Sequence, residues 1–165
     1  AGAPFGNGHV LPKGPLREPV SSGLARADAL ILMGEGPVPG AALQSGKPVL
    51  RARLEATGPA PAGALVAFAG IGRPEKFLDS LKAAGGDIRD AVPYADHHPY
   101  TAADLSFLRS LARRDAARLI TTSKDHVRLP PDIQPEVLVF PVRAVFESAE
   151  ALDALLAPLF KRVVP

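Results

Sequence analysis

A chain of 165 residues with 47% hydrophobic residues can bury one domain-sized core and is no disordered tail. Lys+Arg 19 against Asp+Glu 17 leaves a formal net charge of +2 with both signs mixed along the chain, which argues against a nucleic-acid-binding face. The absence of cysteine excludes disulfides and thiolate metal sites, and no apolar run approaches the ~20 residues of a membrane helix.

Residues 1–23 are dense in Gly and Pro and read as an extended loop held by turns, a linker or a binding loop. The chain begins at Ala1, without Met and without a basic-then-apolar export signal, inside this turn-rich stretch, so a natural N-terminal portion is expected before it. The segment "ADALILMG" (Ala27 to Gly34) is a short apolar run closed by Gly, as in a strand buried on both faces. "PVLRARLEA" (Pro48 to Ala56) alternates like a half-exposed strand. "ALVAFAG" (Ala64 to Gly70) is a second buried strand, followed by a helix with Pro74 in its first turn and Gly85 as its stop.

"DIRDAVPYADHH" predicts a strand ending at the histidines. "TAADLSFLRSLARRDA" then predicts a helix whose Thr101 and Asp104 have capping-box spacing. "RLITTSKD", "EVLVFPV" (Glu136 to Val142) and a last helix from Ser148 to Val163 complete the run. Alternating strands and helices of these lengths imply an α/β fold: a mostly parallel sheet with helices on both faces, occupying 24–165 after the opening loop. In such sheets ligands sit outside the carboxyl ends of the strands. Three polar clusters fall there: "GIGRP", "DHHPY" and "TTSKDH".

In "GIGRP", Gly70, Gly72 and the start of the helix offer backbone N–H groups to an anion, and Arg73 adds charge. It is neither a dinucleotide fingerprint nor a phosphate loop, and a tight turn without ligand accounts for it equally well. A pI of about 9.2 suits phosphorylated ligands modestly and a neutral surface nearly as well.

Asp96, His97 and His98 invite metal chemistry, since imidazole and carboxylate suit zinc or manganese. On a strand, however, neighbouring histidines face opposite ways. The phosphoesterases named for a DHH motif also need an upstream Asp-x-Asp pair, which this sequence does not contain. The other readings are proton exchange or orientation at a reacting centre, or structural bonding beside the next helix. "TTSKD" suggests a Lys124–Asp125 salt bridge ahead of direct ligand contact. Arg17 and Glu18, between Pro15 and Pro19, form a rigidly flanked charged pair suited to a preorganised contact.

"PFGNGHVLPKGPLREP", "FAGIGRPEKF", "ADHHPYTAADL" and "LITTSKDHVRL" occur in the order seen in the tetraacyldisaccharide 4'-kinases, the lipid A 4'-kinases of Gram-negative bacteria, and the resemblance covers nearly the whole chain. It implies a fold like the P-loop nucleotide hydrolases and transfer of the ATP γ-phosphate to the 4'-hydroxyl of a lipid-bearing disaccharide 1-phosphate. It further implies Mg²⁺ and a location at the cytoplasmic face of the inner membrane.

The family's phosphate loop, magnesium-binding acids, catalytic aspartate and membrane anchor precede "PFGNG". No G-x-x-x-x-G-K-[ST] occurs here, so the chain resembles the C-terminal half of such a kinase, inactive alone and with ATP and Mg²⁺ held mainly by the other half. His97 matches the histidine that pairs with the catalytic aspartate, and Asp96 would set its tautomer or the loop geometry. Arg17 and Glu18 match the active-site loop, where they would neutralise phosphate charge and orient it or the metal's water shell. Gly70, Gly72 and Arg73 could serve nucleotide or disaccharide phosphate. The sequence departs from the family at Ser123 and His126, where an acidic and a small residue are common.

Two other classes stay open on the residues: a non-catalytic module binding a phosphorylated sugar or lipid through Arg17 and Arg73, and a histidine-metal phosphoesterase.

Overall fold

The structure is a computed structural model that describes residues 4–160. The chain divides into two compact units, one formed by 1–54 with 144–165 and the other by 55–143.

The first unit contains α1 (Val20–Arg26), β1 (Leu30–Met33), α2 (Gly40–Gln44), most of β2 (Val49–Ala56), most of β7 (Val142–Phe146) and α6 (Ala149–Phe160). Its sheet has the order β1-β2-β7, with β1 and β2 parallel in a register running from Leu30 opposite Val49 to Met33 opposite Ala52. The opening loop is shorter than expected, because α1 begins at Val20 directly after Pro19. Pro19 at the helix boundary contributes a fixed φ and no N–H to be satisfied. Residues 1–3, and the end of the last helix expected to reach Val163, lie outside the described residues.

The second unit carries β3 (Ala64–Ala69), α3 (Pro74–Ala83), β4 (Asp87–Pro93), α4 (Ala102–Arg114), β5 (Arg118–Thr122), α5 (Ser123–His126) and β6 (Val137–Phe140). Its sheet has the order β4-β3-β5-β6, and every pairing is parallel. Central strand β3 is buried on both faces, as its unbroken apolar run requires. Val66 and Phe68 pack with Leu105 and Leu108 of α4 on one side. Leu65, Ala67 and Ala69 pack with Phe77 and Leu81 of α3 on the other. Helices therefore cover both faces, as the alternation of elements implied.

Three further boundaries differ from the sequence reading. The strand expected to run to the histidines stops at Pro93, which closes the ladder and leaves 94–101 irregular. The strand over "RLITTSKD" ends at Thr122, whose hydroxyl caps the single turn α5. "EVLVFPV" is split by Pro141 into β6 and β7, which belong to different sheets. Proline has no N–H to continue the ladder of β6.

Candidate functional site

The order β4-β3-β5-β6 places a topological switch between β3, which leads out to β4, and β5, to which the chain returns on the other side. Ligand crevices of open α/β sheets form at such points, beyond the carboxyl ends of the strands. The loop after β3 is Gly70–Arg73, that after β4 holds Asp96–His98, and β5 runs into Thr122–Asp125. These are the three clusters marked in the sequence, and the fold brings them to one end of one sheet.

His97 and His98 diverge completely, although they lie at a turn and not on a strand. His97 takes a left-handed backbone, φ 58°, with its N–H donated to the Gly70 carbonyl at 3.0 Å. Its side chain is 86% exposed, and Nε2 comes no nearer to Asp96 Oδ1 than 3.9 Å. His98 turns inward, stacks on Tyr94 with ring centroids 4.5 Å apart, meets Tyr100 edge-on, and places Nε2 2.9 Å from Asp104 Oδ2. Hydrogen bonds from Thr101 and then His98 hold the Asp104 carboxyl down at about 2. His98 is thus built into the start of α4, while His97 presents a free imidazole.

Asp96 is exposed and lies over the Gly70–Arg73 turn: a Cβ on Gly72 would stand 3.5 Å from Asp96 Oδ2. Gly70 is buried, and a Cβ there would meet Ala95 O, Asp125 Oδ1 and His98 Cβ, each at 3.2 Å. Arg73 precedes the first turn of α3 without capping it through its side chain, and is exposed. Its free guanidinium at the start of a 10-residue helix, with Pro74 leading that helix, suits an anion such as a nucleotide or sugar phosphate.

The Lys124–Asp125 bridge expected from the sequence does not form. Asp125 is fully buried, so its partner must reach inside, and that partner is Arg128 three residues on, at 2.5 Å. Asp125 also accepts the Gly70 N–H at 3.1 Å, the Tyr100 hydroxyl at 2.9 Å and the Thr122 hydroxyl at 2.7 Å. Lys124 points to solvent and contributes its carbonyl to Arg128 Nε. Burial, followed by the hydrogen bond to Asp125, pushes the Tyr100 phenol up, so it stays a donor. Sequence reading missed Tyr100, Asp125 and Arg128 as one group. A usable signal was the Thr122-x-x-Asp125 spacing, which has the form of a helix start.

Magnesium does not fit the described residues as they stand. They contain no group of three or more His, Asp or Glu side chains able to hold an ion, and both oxygens of Asp125 are already taken by donors.

In the first unit, the opening loop is pinned by Asn7, which donates Nδ2 to Lys13 O at 2.9 Å and accepts the His9 N–H at 3.1 Å. Val10 and Leu16 bridge across it, followed directly by Arg17 and Glu18. These two do not act as a free pair: Glu18 is turned back onto Arg26 of α1, whereas Arg17 is exposed.

Residues 1–161 match the family model described as tetraacyldisaccharide-1-P 4'-kinase, LpxK. The chain is 69% identical over 162 residues to a tetraacyldisaccharide 4'-kinase of Hyphomonas neptunium, covering 98% of this chain and 49% of that protein. It is 54% identical to the protein of that name from Maricaulis maris, covering 92% of this chain and 46% of that protein. A crystal structure of LpxK from Aquifex aeolicus in complex with ATP superposes with a TM-score of 0.62 at 24% identity, over 93% of this chain and 49% of that one, which bears out the fold. The chain spans about half the length of the curated relatives it matches. It belongs to the tetraacyldisaccharide-1-P 4'-kinase family.

Proposed function

We propose that the chain is the C-terminal part of an ATP-dependent kinase that phosphorylates the 4'-hydroxyl of tetraacyldisaccharide 1-phosphate in lipid A biosynthesis. The observation that carries this reading is a family match over residues 1–161 in a chain whose His97 imidazole stands free at the switch-point end of the sheet. Phosphoryl transfer depends chiefly on positioning and charge, and a free imidazole on a fixed turn suits that task.

In this reading His97 hydrogen-bonds an aspartate of the other half and keeps it ionised and aimed. That aspartate takes the proton of the sugar hydroxyl as its oxygen bonds to the γ-phosphorus and the bond to ADP breaks. Asp96, 3.9 Å from His97 Nε2, biases which ring nitrogen carries the proton. Arg73 and the N–H groups after Gly70 take phosphate oxygens of ATP or the disaccharide, and Arg17 neutralises further phosphate charge while Glu18 orients it. Magnesium, when bound by the other half, supplies charge neutralisation of the phosphates.

Alone, the chain transfers no phosphate. No described helix is long and apolar enough to cross a membrane. In this reading, contact with the cytoplasmic face of the inner membrane is made by the other half.

The test is transfer of labelled γ-phosphate from ATP to tetraacyldisaccharide 1-phosphate, by this chain and by the full-length protein, each with and without His97→Ala. Activity confined to the full-length protein and lost by orders of magnitude on substitution supports the reading. A full-length protein indifferent to His97 overturns the assignment.

A further inference from the structure

Three loops leave the carboxyl ends of β3, β4 and β5, and the backbone of a single residue, Gly70, joins them. The Gly70 N–H donates to Asp125 Oδ1 at 3.1 Å. The Gly70 carbonyl accepts the His97 N–H at 3.0 Å and an Arg128 Nη at 2.9 Å. Asp125 and Arg128 then close the ring on each other at 2.5 Å. Both backbone groups of Gly70 are thus gripped by one ion pair, whose Asp125 is fully buried and whose Arg128 is partly so, and among the described residues the other group on its carbonyl is the backbone of His97.

His97 needs such a grip. At φ 58° it occupies the left-handed region, which a residue with a side chain holds only where its surroundings insist. Its own side chain makes no close contact that could do so, being 86% exposed. The hold comes from the backbone, through Gly70, and Gly70 has no freedom to shift, because it is buried against Ala95, Asp125 and His98.

We propose that Asp125 and Arg128 are positioning residues of the transfer site, acting on His97 through the backbone of Gly70. This rests on the reading of His97 given above. Neither side chain needs to touch substrate. Their task is to fix the direction in which the imidazole leaves the turn, to which transfer chemistry is sensitive on the scale of an ångström. A role confined to bracing the core, through Thr122 and Tyr100, would change stability and leave His97 where it is.

The test uses the full-length kinase carrying Asp125→Asn, which keeps the size and an acceptor oxygen while removing the charge opposite Arg128. Arg128→Lys serves as a second variant should the first fail to fold. Turnover and KM are measured for each, alone and combined with His97→Ala, and the backbone at His97 is read from a crystal structure of the variant. The expected result is a fall in kcat of about 10- to 100-fold with each KM within about twofold, and no further loss when His97→Ala is added.

Unchanged turnover, or losses that multiply with that of His97→Ala, overturns the proposal. Should His97→Ala itself leave turnover intact, the reading of His97 fails instead. The positioning claim is then decided by the crystal structure alone, and a His97 still at positive φ in the variant overturns it.

Discussion

His98 Nε2 lies 2.9 Å from Asp104 Oδ2, an oxygen that also takes the N–H and the hydroxyl of Thr101 at the start of α4. The second histidine of the "DHH" run is therefore part of a helix cap, and its neighbour is left with a different task.

The two histidines should separate cleanly in stability measurements. His98→Ala removes the stacking on Tyr94 and a bond to Asp104, and is expected to cost about 1–2 kcal/mol. His97→Gly relieves a left-handed residue whose side chain is 86% exposed, and is expected to raise stability by about 0.5–1 kcal/mol. Urea denaturation of the two variants checks both signs. In the full-length protein the more stable variant, His97→Gly, should be the one without kinase activity.

Acid should loosen the start of α4. The Asp104 carboxyl is held at about 2, below its ordinary 3.8, first by its bonds to Thr101 and His98. A depressed carboxylate contributes stability above its unfolded value and loses it as pH falls through the folded one. The contribution, about 1 kcal/mol after allowing for partial solvent exposure, should be present at pH 5 and fade between pH 4 and 2. Thr101→Ala should remove about 1 kcal/mol at neutral pH and flatten that pH dependence. Stability curves from pH 2 to 7 for both proteins make the comparison.

Gly70→Ala should be destabilising although alanine is the smallest possible change. The added methyl would meet three groups at 3.2 Å, two of them oxygens and one of those a backbone carbonyl. Over-packing of this kind costs about 1–3 kcal/mol. Gly34→Leu offers a contrast, since nothing lies within 4 Å of its Cβ position and only its φ of +86° opposes the change. Melting temperatures should fall further for Gly70→Ala in spite of the smaller side chain.

The opening loop should depend on Asn7. Replacing it by Ala removes the bond to Lys13 O and the acceptor for His9 N–H, each worth about 1 kcal/mol. Global stability should change little, because the segment is exposed, while cleavage by trypsin at Lys13 and Arg17 should accelerate several-fold. Equal cleavage rates for the variant and the parent would show that Asn7 does not order the loop.

Much of the second unit is legible in its sequence, because periodicity and punctuation agree there. The unbroken apolar run of β3, Pro74 opening α3, and Thr101 with Asp104 opening α4 are each local signals, and local energetics decide each of them. Misread positions are those where a distant partner decides. Asp125 has Lys124 beside it in sequence, yet its carboxylate faces inward to Gly70, 55 residues away, and only the fold supplies Tyr100 and Arg128.

Pro141 is a subtler case. It ends β6 and begins a strand of another sheet, a change of partner to which the apolar pattern of "EVLVFPV" gives no clue. Short helices such as α2 over Gly40–Gln44 carry too few turns for a period to show.

The second unit is one uninterrupted stretch of chain, while the first is assembled from both ends of it. The Thr57 N–H donates to Pro141 O at 3.1 Å, so folding of 55–143 brings together the two points at which the chain leaves that unit. Strands β2 and β7, neighbours in the first sheet, are then already side by side, and the entropy of closing a long loop does not have to be met a second time. The parallel sheet around β3 is therefore expected to form before the split sheet. In pulse-labelled hydrogen exchange during refolding, the amides of β3 and β5 should become protected before those of β1.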